Sequence, residues 1–182
     1  MKHRTLTQSV CSTHEAYHGA AIAVLDKIVR LPDGSMVHRD VVTYPGGAVG
    51  VLALTEDQRI VLVRQYRPTS NALMLEIPAG RRNVGESFLA AARRELREET
   101  GYTASLWTRS IGFWPSPGIL DERIVLYVAQ GLTKGDQSLD DDEFIRSAVI
   151  PMDEVLDRCR RGTIVDAKTI VGVLWYARFG TQ

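Results

Sequence analysis

The sequence predicts an α+β fold or a three-layer α/β/α sandwich, on three observations. Strand-like runs dominate the middle of the chain, the hydrophobic period changes to that of a helix beyond residue 80, and two further helical patterns follow near the end, placed to cover a sheet. The 182 residues, 45% of them hydrophobic, are enough for one compact domain with a sizeable core.

The first strands are the runs AIAVLDKIVRL and SMVHRDVVTY between Ala20 and Tyr44. Pro32-Asp33-Gly34 separates them with turn chemistry that predicts a hairpin. Residues 1–45 are therefore expected to form an N-terminal β-rich arm and 46–182 the main domain. GAVGVLAL (47–54) and RIVLVRQY (59–66) read as two strands around the polar turn TEDQ, and MLEIPAG (74–80) as a short strand broken by Pro78 and Gly80. Residues 87–100 read as a helix ended by Gly101, because glycine accepts the left-handed conformation that closes helices. Strands at about 105–113 and 123–130 flank the loop WPSPGILDE.

The polar segment GLTKGDQSLDDDE then leads to a strand, FIRSAVI. Pro151 suits the first position of a helix through Arg160, on which Met152, Val155, Leu156 and Cys159 share a buried face. Ile170, Val173, Leu174 and Ala177 mark a last helix.

Composition narrows the function. With 22 basic and 22 acidic residues the formal charge is zero, which gives no reason to expect a nucleic acid or an anionic membrane as partner. Cys11 and Cys159 are too few and too far apart for a disulfide framework or a zinc knuckle. The N-terminus has no apolar leader and no segment approaches 18 apolar residues, so the expected setting is the cytoplasm.

The stretch RRELREETG (93–101) is electrostatically odd. Glu95, Glu98 and Glu99 crowd the last turns of a helix, where the partial negative charge of the macrodipole disfavours carboxylates. At about 100° per residue they span an arc of about 100° beside the buried stripe of Leu89 and Leu96, with Arg93 and Arg97 on the other side. Arg94 reaches Glu98 at the i+4 spacing, but the cluster is expected to need an outside cation, and Mg²⁺ suits such oxygen ligands. Standing alone, the same stretch reads more readily as a solvated helix face.

Its context decides the matter. GRRNVGESFLAAARRELREETGY (80–102) resembles the Nudix box: Gly80, five residues, Glu86, seven residues, then Arg94, Glu95, Leu96, Glu98, Glu99 and Gly101 in register. Tyr102 departs mildly from the usual aliphatic residue. The resemblance implies a Nudix-type α/β/α sandwich with a mixed sheet plus an N-terminal β-hairpin subdomain. It further implies Mg²⁺, with Mn²⁺ as a substitute, held by Glu95, Glu98, Glu99 and the carbonyl of Ala79, while Gly80, Glu86, Arg94 and Gly101 serve structure. VRQYRP (63–68), LEIPAG (75–80) and Pro117, sixteen residues after Gly101, resemble the ADP-ribose pyrophosphatase subfamily, whose reaction yields AMP and ribose 5-phosphate.

By that resemblance Arg67 contacts a substrate phosphate and Glu122 positions the diphosphate–ribose region or its water. Arg67 reads also as a partner for an acid, and Glu122 and Pro117 as ordinary loop residues. All four histidines lie in the first 38 residues, which favours a carboxylate base; Glu143 in DDDE (140–143) matches best, and a solvated acidic loop is the other reading. Tyr17, His18, Arg39 and Tyr44 are candidates for base or ribose contacts in an arm through which such enzymes form homodimers. Arg81 and Arg82 stand where many relatives carry an acid, and either favour a more anionic substrate or face solvent. Two alternatives stay open: hydrolysis of another nucleoside diphosphate sugar such as GDP-mannose, and a non-catalytic nucleotide-binding module.

Overall fold

The computed structural model describes residues 6–139 and 143–180. The chain divides into two compact units, one of Met1–Pro45 with Trp114–Glu122 and the other of Gly46–Phe113 with Arg123–Gln182.

The first unit is a three-stranded antiparallel sheet of β1 (Ser9–His18), β2 (Ala23–Arg30) and β3 (Met36–Thr43), with β2 in the middle. The expected hairpin is β2–β3, turning at Gly34 with φ 91°. Strand β1 carries no sequence signal: all ten residues are exposed, so neither face of SVCSTHEAYH needs to be apolar. The loop WPSPGILDE joins this unit through backbone. The amide of Val42 donates to the Ile119 carbonyl (2.7 Å), and the Asp121 carboxylate accepts from the Thr43 hydroxyl and the Tyr44 amide, both at 2.7 Å.

The second unit is built on a seven-stranded mixed sheet. Its path runs β10 (Arg146–Pro151), β5 (Arg59–Arg67), β4 (Ala48–Leu54), β9 (Ile124–Lys134), β8 (Tyr102–Phe113), with β6 (Ala72–Glu76) on β5 and β7 (Ala79–Arg81) on β4. β4 and β9 are parallel and the other pairs antiparallel. Alternation along β4 separates two cores. Val49, Val51 and Ala53 meet Ala91, Ala92 and Leu96 of α1 (Phe88–Thr100). Leu52 and Leu54 meet Val155 of α2 (Met152–Arg160) and Val173 and Tyr176 of α3 (Ala167–Phe179). Helices on both faces make the expected α/β/α layering, and both faces of β4 are buried.

Two helices differ in detail from the sequence expectation. Pro151 ends β10 with ψ 142° and caps α2 from outside rather than opening it. On α3 the buried positions are Thr169, Gly172, Val173 and Tyr176, while Leu174 is half exposed. The Thr169 hydroxyl accepts from the Ile77 amide at 2.8 Å, which sets the rotation of the helix by a polar contact that hydropathy does not register. No helix among the described residues is long and apolar enough to cross a membrane.

Candidate active site

Helix α1 starts at Ser87, whose side chain accepts from the Ala90 amide (3.1 Å), and stops at Gly101, where φ is 74° and the amide bonds the Arg97 carbonyl (2.8 Å). The carbonyls of its last turn are met by donors from the end of β9 and the residues after it: Lys134 Nζ on Thr100, the Ser138 amide on Glu98 and the Gln137 side chain on Glu99. These contacts relieve the negative helix end where the acids crowd.

The opposite charge comes partly from within. Arg94 Nη1 donates to Glu95 (2.7 Å) and Glu98 (3.0 Å), Nε and Nη2 hold Glu86 (3.1 Å each), and Nη2 also bonds the Arg81 carbonyl (2.8 Å). One guanidinium thus pins the box loop to the helix through Glu86, as the resemblance implied, and adds Glu95 to the Glu98 contact expected from spacing. It holds the Glu86 carboxyl below its ordinary range. Arg94 therefore offsets part of the cluster's charge from within.

Glu99 lies beyond that fork. It is 3% exposed, and its Oε2 accepts from the Ala79 amide at 2.9 Å. Burial raises its pKa, the Ala79 bond opposes, and Glu95 and Glu143 push it further, up to about 8. Glu95 is also raised, chiefly by burial, with Glu98 and Glu143 adding to it against the pull of Arg94. The same electrostatics bring Glu143 within reach of the helix acids, although it stands far along the chain. Gly80 lies against Glu95: a Cβ there would fall 2.1 Å from its carboxylate, which would have to move aside.

Oxygen ligands that carry excess negative charge on a largely buried helix face fit a hard divalent ion. Among the described residues no three acidic, His or Cys side chains are already gathered as a cage, since Arg94 stands among the oxygens of Glu86, Glu95 and Glu98.

Arg67 is engaged by an acid. Its Nε and Nη2 form a fork with Glu76 at 2.8 and 2.7 Å, and Lys168 bonds the same carboxylate. Glu76 is fully buried, and burial would raise it, but the Arg67 bonds and the Lys168 charge hold it below its ordinary range. Sequence reasoning passed over Glu76 and Lys168; the available signal was a lone acid inside the apolar run LEIP. Arg82 does not face solvent freely: it donates to the Gly46 and Glu86 carbonyls (2.7 and 2.8 Å) and lies 4.9 Å from the Phe88 ring centre.

The remaining candidates belong to the first unit. Tyr17 is exposed on β1, and Arg39 on β3 donates to the neighbouring His38 carbonyl (3.0 Å). Pro117 lines a cavity of about 240 Å³ with Trp114 and Ile119, and Glu122 closes the same loop segment. Of DDDE, residues 140–142 lie outside the described residues.

Comparison with known proteins agrees with this geometry. A family profile described as the NUDIX domain matches residues 45–170. The chain is 39% identical over 168 residues to a methanol dehydrogenase activator of Bacillus methanolicus (91% of this chain, 90% of that one). It is 34% identical over 172 residues to an ADP-ribose pyrophosphatase of Bacillus subtilis (93% and 92%). A crystal structure of an ADP compounds hydrolase superposes with a TM-score of 0.86 at 19% identity, covering 96% of this chain and 95% of that one, which speaks to the fold. A box helix with its acids and arginine in register, inside a domain that this family's profile spans almost end to end, makes the chain a member of the Nudix hydrolase family.

Proposed function

We propose that the chain is a Mg²⁺-dependent pyrophosphohydrolase that cleaves ADP-ribose to AMP and ribose 5-phosphate. One observation carries the chemistry: Glu99, buried and pushed up to about 8, sits with Glu95 and Glu143 as an acid set short of positive charge. The substrate rests on the Bacillus subtilis relative and on Arg67 and Pro117, which resemble that subfamily's pattern.

Nudix hydrolases in general use a divalent metal. In this reading Glu95, Glu98, Glu99 and the Ala79 carbonyl hold it, and Glu98 also orders water beside it. When bound, Mg²⁺ supplies positive charge against the diphosphate oxygens and makes water more acidic. Glu143 takes a proton from the attacking water, whose oxygen bonds to one phosphorus as the bond from that phosphorus to the bridging oxygen breaks. Arg67, steadied by Glu76, donates to a phosphate oxygen. Glu122 positions the diphosphate–ribose region, and Tyr17, Arg39 and Pro117 contribute to nucleoside binding. The N-terminal arm pairs two copies into a homodimer, and the enzyme works in the cytoplasm, where Cys11 and Cys159 stay reduced.

The test is turnover of ADP-ribose, GDP-mannose, UDP-glucose, NADH and diadenosine polyphosphates with Mg²⁺. ADP-ribose leading in kcat/KM and yielding AMP is the expected result; another leader moves the substrate and keeps the chemistry. The Bacillus methanolicus relative favours a second reading, action on an enzyme partner. A rise in the rate of a purified methanol dehydrogenase on adding this chain would support it.

A further inference from the structure

Helix α1 has two flanks, and the carboxylates use only one. On the other, between α1 and β8, lies a cavity of about 320 Å³ lined by Arg93, Arg94, Arg97, Thr103, Ala104 and Trp107. No carboxylate is among these lining groups. Arg94 spends its donors on three acids, whereas Arg93 and Arg97 have no ion pair or hydrogen bond from their side chains among the described residues. Trp107 is fixed as a flat wall: its indole N–H donates to the Ala104 carbonyl (3.0 Å) and its ring meets Tyr127 edge-on at 6.4 Å. The Arg93 guanidinium lies 5.9 Å from that ring's centre.

Unpaired guanidinium groups beside an aromatic wall select a ligand with two parts, an anion for the fork and a planar ring for the indole. The volume admits a mononucleotide. We propose that this cavity binds a nucleoside monophosphate, its phosphate on Arg93 and Arg97 and its base against Trp107. Arg94 lines the same cavity while holding Glu86, Glu95 and Glu98, so a bound phosphate competes for the guanidinium that orders the box acids. The site is therefore regulatory. The regulation rests on the hydrolase reading; the binding does not.

The experiment follows tryptophan fluorescence of the metal-free full chain during titration with AMP, adenosine and inorganic phosphate. AMP is expected to quench saturably and to bind more tightly than either fragment. Trp107→Phe removes the quench, and Arg93→Gln/Arg97→Gln weakens AMP by at least about tenfold, the loss of two charge-assisted contacts. No quench, a quench that survives Trp107→Phe, equal binding of adenosine, or unchanged affinity in the double variant overturns the proposal. In the turnover arm AMP alters kcat for ADP-ribose in the wild type, a change that competition by the product at the active site does not produce. The double variant turns over normally without AMP and loses that response. If ADP-ribose is not a substrate, the titration alone still separates these outcomes.

Discussion

Glu76 and Glu99 are both buried acids, on β6 and α1, yet their environments act in opposite directions. Glu76 receives the fork of Arg67 and the ammonium of Lys168, and its carboxyl stays below the ordinary range. Glu99 receives one amide and the fields of two carboxylates, with Lys168 opposing them only from a distance, and burial carries it to about 8. Burial is common to both, so partners decide which acid keeps its charge. The satisfied acid is part of the scaffold. The unsatisfied one is where a cation gains most by binding.

Four experiments put that contrast at risk, the first two acting on the acids themselves. Glu99→Gln is expected to lower kcat/KM for ADP-ribose at least about a hundredfold with Mg²⁺. The same variant is expected to melt no lower than wild type without metal, because the amide carries no buried charge. Glu76→Gln behaves inversely: it takes the carboxylate from Arg67, leaves Lys168 with Asp166 alone, and is expected to reduce unfolding free energy by about 3 kcal/mol in urea denaturation. If Glu99→Gln proves the more destabilising of the two, the contrast fails.

Gly80→Ala tests the wall behind the site. The added methyl must displace the Glu95 carboxylate, and a loss of about 1–3 kcal/mol is expected by thermal melts, with turnover falling as Glu95 moves. The last test is the pH dependence of the metal-free chain. Unfolded, Glu99 releases its proton near the ordinary 4.5; folded, it keeps it to about 8. Its contribution is therefore full below 4.5 and is lost as pH rises to about 8. Tm should decline across that interval, and Glu99→Gln should flatten the decline.

Much of the fold and part of the site were legible in the chain because their determinants are local. The helix of 88–100 announces itself through Ser87, its apolar stripe and Gly101, and the hairpin of β2 and β3 through Pro32-Asp33-Gly34. The box spacing named Glu86, Arg94, Glu95, Glu98 and Glu99 together, and the Arg94 pair with Glu98 follows from i+4 geometry. Strand β1 escaped because exposure on every residue erases the alternation that marks strands.

Family, order of elements and the sharing of one helix face by the box acids all follow from the chain's own residues, since periodicity, caps and motif spacing act over a few positions. Which acids keep a charge was left to the folded arrangement. It brought Lys168 to Glu76 across 92 positions, set the Ala79 amide on Glu99, and placed Glu143 where its field reaches the box. A carboxylate's charge depends on what surrounds it in space, and those neighbours come from distant parts of the chain.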